Sequence, residues 1–87
     1  NEQVIMQFST FDTYFCFGKS IFNDHSKSIE LLKTIAPEKI FFETDDSNFS
    51  ISDIYLRAAT IRQVSVEELS RITKNNFRKF IGDELVR

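Results

Sequence analysis

Short unbroken apolar runs alternate along the chain with stretches whose apolar residues recur every three or four positions. Thr13-Tyr14-Phe15-Cys16-Phe17, closed by Gly18, and Ile40-Phe41-Phe42 have no period of two. Such runs predict strands covered on both faces, as in a parallel sheet flanked by helices. Between them Ile29, Leu32 and Ile35, with Leu31 beside them, mark a helix that Asp24 or Ser26 can cap and Pro37 ends. Residues 13–44 thus predict a strand, helix, strand unit, its second strand running from Lys39 to Thr44, with a crossover long enough for parallel pairing.

Two further helices are predicted by their starts. Ser50 and Asp53 can cap reciprocally while Phe49 packs on Ile54; Ser65 with Glu68 is a full capping box, and Val64 with Leu69 a hydrophobic staple. The last helix carries Phe77, Phe80, Ile81 and Leu85 on one face, with Gly82 as a stop or break. Val4, Ile5 and Phe8 form a stripe that predicts helix over residues 2–8, the tail of a longer one. The chain has no internal repeat and no low-complexity tract.

Composition narrows this picture in three ways. Eighty-seven residues make one small domain, and a chain of that length buries only about 60% of its unfolded surface. Ten Phe without a Trp fit a large apolar interior or a hidden interface. Two predicted parallel strands would leave both sheet edges open, which suggests the end of a larger α/β domain or assembly with another polypeptide. The opening Asn1-Glu2-Gln3, with no initiator Met, fits a piece of something longer. A net charge of −2 gives no global attraction to nucleic acid. The lone Cys16, inside an apolar run, reads as a core thiol and suits a reducing, cytoplasmic compartment; no signal peptide or membrane span is visible.

The second strand runs directly into Glu43, Asp45 and Asp46. An unpaired carboxylate is costly to bury, so these acids belong at a strand mouth where water, a cation or donors meet them. In α/β folds the carboxyl edge is where chemistry sits.

Ile40-Phe41-Phe42-Glu43-Thr44-Asp45 resembles the "LLxETD" strand of TatD-like metal-dependent hydrolases, a branch of the amidohydrolase superfamily with deoxyribonuclease members. Asp12-Thr13-Tyr14-Phe15-Cys16-Phe17-Gly18 is similar to the strand preceding it in that family. Val64-Ser65-Val66-Glu67-Glu68-Leu69 with Thr73, Asn76 and Phe80 resembles its terminal signature. The three motifs stand in the family's order and span nearly the whole chain. The resemblance implies a TIM (β/α)8 barrel of which residues 1–87 are the C-terminal portion, strands seven and eight plus closing helices. It implies that Asp45 is a catalytic residue and a ligand of divalent metal ions (Zn, Mg or Mn) at the barrel mouth, with Glu43 and Thr44 as supporting neighbours and DNA as substrate. A divalent cation lowers the pKa of its water and polarises a phosphate, and one carboxylate can both hold the ion and position the water.

The departures are equally specific. The family's His-x-His and its further Glu and His ligands have no counterpart in this sequence, which has one His. Asp46-Ser47-Asn48 stands where the family has a Pro, and Cys16 where it has a small Ser. Residues 1–87 alone are therefore expected to be catalytically silent, the other ligands coming from the missing N-terminal part of the barrel or another chain.

Each candidate also has a plain structural reading. Asp45 could simply cap the following turn. Glu43 points to the other side of the strand from Thr44 and suits an ion pair with a helix, and Asp46 suits a solvated loop. Lys19, after Gly18 at the mouth of the first predicted strand, could meet a substrate phosphate or only water, and His25 reads as an exposed imidazole at a helix start. Arg71, Lys74, Arg78 and Lys79 suit a helical carboxyl end, and without interleaved exposed aromatics they are weak evidence for nucleic-acid binding. The competing function is a non-catalytic α/β interaction module whose Phe surface a partner covers.

Overall fold

A computed structural model describes residues 4–7, 13–44 and 48–85. Three strands and three helices follow one another: β1 (Val4–Gln7), β2 (Thr13–Phe17), α1 (Lys27–Thr34), β3 (Ile40–Phe42), α2 (Ile51–Arg62) and α3 (Val66–Leu85). Two short 3-10 turns, Lys19–Phe22 and Pro37–Lys39, lead into α1 and β3.

The predicted strand, helix, strand unit is present, and β2 pairs parallel to β3 with Phe15 opposite Ile40 and Phe17 opposite Phe42. That register places Phe15, Phe17, Ile40 and Phe42 on one face, because side chains alternate along a strand. Against it packs a core of Phe17, Ile21, Leu32, Ile40, Ile54, Ala58, Ala59 and Leu69, drawn from all three helices. The opposite face carries Tyr14, Cys16 and Phe41, with the Tyr14 and Phe41 rings 5.2 Å apart. Cys16 is buried, as its apolar run predicts.

Residues 4–7 depart from the helix expected over 2–8. They form β1, antiparallel to β2, with Val4 opposite Cys16 and Gln7 opposite Thr13. Four apolar residues in seven positions, Val4, Ile5, Met6 and Phe8, do not separate a helical from an extended period, and the edge of β2 offers residues 4–7 a ladder. The described sheet, in the order β1-β2-β3, is thus mixed, whereas an all-parallel barrel has no antiparallel neighbour for β2.

The helix starts follow their signals. Ser26, not Asp24, caps α1 by accepting from the Ser28 N–H, while Asp24 pairs with Arg57 at 3.1 Å. Ser50 and Asp53 make both halves of a capping box at the start of α2. Ser65 accepts from the Glu68 N–H before α3, whereas the Glu68 carboxylate, expected to complete a capping box, accepts from Arg71 instead. Phe49, expected to pack on Ile54, stacks on Phe22 with ring centroids 3.8 Å apart.

The end of α3 differs from expectation in two respects. Gly82 lies within the helix, which continues to Leu85. The predicted apolar face is also displaced: Phe77 and Ile81 are 55% and 39% exposed, while Leu69, Thr73 and Asn76 are buried. Position along the helix decides this, since residues 69, 73 and 76 recur at the spacing of one face and that face meets β3.

Candidate functional site at the carboxyl end of the parallel pair

Parallel pairing brings the carboxyl ends of β2 and β3 to the same side of the sheet. The Glu43 N–H donates to the Phe17 carbonyl at 3.0 Å, extending the ladder one residue past β3. Gly18 and Lys19 leave β2 at this end, and Glu43 and Thr44 leave β3 there. Lys19 is exposed; Glu43 and Thr44 are half-buried. Asp45 and Asp46, which carry the metal expectation, lie outside the described residues.

Asn76 holds β3 in place from α3. Its Nδ2 donates to the carbonyls of Pro37 at 2.8 Å and Ile40 at 2.9 Å, and the residue is 3% exposed. Thr73, one turn earlier, meets the Tyr55 hydroxyl at 2.7 Å and donates to the Ser70 carbonyl. In the sequence Thr73 and Asn76 stand only as residues of the terminal motif, with no sign of this role. The available signal was two polar residues three apart on the stripe that Leu69 begins.

Two arginines close the opposite side of the helical layer. Arg62 donates through Nη1 to the carbonyls of Leu32 and Ile35, satisfying the last turn of α1, and Arg57 donates through Nε to the Ile21 carbonyl.

His25 is exposed, and its backbone N–H donates to the Asn23 side chain, a turn contact remote in kind from metal ligation. On the outer face of α3, Arg71 grips Glu68 through two hydrogen bonds of 3.0 and 2.6 Å. That bond holds the Glu68 carboxyl below the usual carboxylate range and pushes the Arg71 guanidinium up. Lys74, Arg78 and Lys79 share this exposed face.

Among the described residues no three His, Cys, Asp or Glu side chains come together to hold a metal ion. The described part of the site therefore supplies a framed strand end and not a coordination sphere. No described helix is long and apolar enough to cross a membrane. Comparisons with protein-family models, curated proteins and solved structures give no match.

Proposed function

We propose that residues 1–87 form the C-terminal part of a cytoplasmic, TatD-like metal-dependent hydrolase of phosphodiester bonds, a deoxyribonuclease, with Asp45 as a ligand of the catalytic metal. The parallel β2–β3 pair supports this reading, because it brings Lys19, Glu43 and Thr44 to the same end of the sheet. Acids following a buried strand need such a mouth, and chemistry in α/β folds gathers there. The tether from Asn76 to β3 adds support: a polar residue of the terminal motif is used inside the protein to hold the strand that ends in Glu43 and Thr44. The remaining metal ligands belong to polypeptide outside residues 1–87, and the described residues allow no step to be written through the ion.

The test is metal-dependent release of nucleotides from linear DNA by the full-length protein, with bound metal counted in parallel. Loss of an outer partner of a metal ligand typically costs about 10–100-fold, so Asp45→Asn should lower turnover by at least about 100-fold and reduce bound metal. Unchanged turnover and metal content would remove Asp45 from the site and leave the non-catalytic interaction module as the better reading.

A further inference from the structure

The cations of α3 stand where helix electrostatics gives no reason for them. Between Glu68 and Asp83 the sequence holds Arg71, Lys74, Arg78 and Lys79 and no acid. In a chain of net charge −2 this stretch carries +4, leaving −6 for the remaining residues. A place at the helical carboxyl end, expected from the sequence, would explain them, but α3 continues to Leu85 and its last turn has no basic residue. The dipole acts only within that turn. Lys74 and Arg78 are moreover four residues apart, a spacing at which like charges repel and weaken a helix. Arg71 is spent on Glu68, and among the described residues Lys74, Arg78 and Lys79 form no ion pair.

Leu69, Thr73 and Asn76 are buried toward β3, which puts Lys74 and Arg78 on the far side of α3, both exposed. A closed barrel leaves that side of its helices in solvent. There Ser70, Arg71, Lys74, Asn75 and Arg78, with Glu67 at the head of the row, line a hollow of about 380 Å³. The Arg78 guanidinium donates to the Asn75 side chain at 3.4 Å. Every residue lining the hollow is polar. A protein partner's interface is centred on apolar and aromatic side chains, whereas a phosphate backbone needs only cations and hydrogen-bond donors. Lys74 and Arg78 are about 6 Å apart along the helix axis, which takes in two phosphates of one DNA strand at about 3.4 Å per step.

We propose that the outer row of α3, Lys74 and Arg78 with Asn75 between them, holds the phosphate backbone of DNA without regard to base sequence. Lys79 adds charge at the flank, and Glu67 ends the row on its amino side by repelling phosphate. The row keeps a duplex against the protein at a distance from the bond being cleaved. This inference rests on the reading of DNA as the substrate, but the contact itself needs neither Asp45 nor a metal.

Fluorescence anisotropy of a short duplex protected from cleavage by phosphorothioate linkages, titrated with the full-length protein at several salt concentrations, tests it. The double variant Lys74→Gln/Arg78→Gln should lower the slope of log Kd against log salt by about two. That removes about a tenfold factor from the change in affinity between about 50 and about 200 mM salt. The loss should be the same for duplexes of unrelated sequence, Lys74→Arg/Arg78→Lys should bind as the wild type does, and the urea midpoint of the Gln variant should be no lower than the wild type's. A lower midpoint would show that the charges serve folding and overturn the proposal. A wild-type salt slope in the Gln variant would also overturn it, and loss of turnover in Asp45→Asn would then leave the hydrolase reading intact. Equal competition by polyglutamate would overturn it in favour of an acidic protein partner. A lowered slope in a protein whose turnover is indifferent to Asp45→Asn would sustain the DNA surface while the nuclease reading fell.

Discussion

Asn76 shows how one buried amide can organise a strand. Its two donated hydrogen bonds reach carbonyls 36 and 39 residues earlier in the chain, so it ties α3 to the entry of β3 more directly than any apolar contact could. A buried acceptor left without its donor costs about 1–3 kcal/mol, and Asn76→Ala should lower the unfolding free energy by that amount in urea titrations. Asn76→Asp should cost more, since a carboxylate would face two carbonyl oxygens. A loss under about 0.5 kcal/mol for Asn76→Ala, the range of ordinary surface changes, would show the tether to be dispensable. By contrast the Glu68–Arg71 pair is solvent-exposed and contributes little. Its sign is nonetheless definite: with the Glu68 carboxyl held below its usual range, that small stabilisation is present above the ordinary carboxylate pKa and fades as pH falls through the lowered one.

At the scale of elements, local signals worked where capping chemistry or an unbroken apolar run spoke, and failed where a neighbour decided. The Ser50–Asp53 box and the Ser65 cap could be placed because side-chain oxygens three residues ahead of a helical N–H act locally. Residues 4–7 carried no such local signal, and pairing with β2 settled them as a strand. Gly82 misled in the other direction. A Gly near the end of a helical pattern suggests a C-cap, yet the helix continues through it, and a Cβ at that position would meet nothing within 4 Å. Gly82→Ala should therefore stabilise α3 by about 1 kcal/mol, seen as a higher urea midpoint with unchanged slope. Destabilisation instead would mean that the helix needs a break at that position.

Across the whole molecule, the helices cover one face of a short mixed sheet, and the core depends on few residues. Leu32 is fully buried and belongs to the core cluster that also draws on β2, β3, α2 and α3. Leu32→Ala should remove about 2–5 kcal/mol, a large share of what a domain of this size possesses. Circular dichroism with urea would read it, and a change under about 1 kcal/mol would place the effective core elsewhere.

Apolar runs and caps by themselves determined that residues 13–44 form a strand, helix, strand unit and that two helices follow, because burial on both strand faces and capping of helical N–H groups are local demands. Charge placement likewise put acids immediately after a core strand. Only the tertiary structure decided that residues 4–7 pair antiparallel, that α3 buries Thr73 and Asn76 in preference to Phe77, and that Asn76 holds the Ile40 carbonyl. Those outcomes hinge on which backbone carbonyls and edges come within hydrogen-bonding distance after folding, and such distances between remote segments leave no period in a one-dimensional pattern.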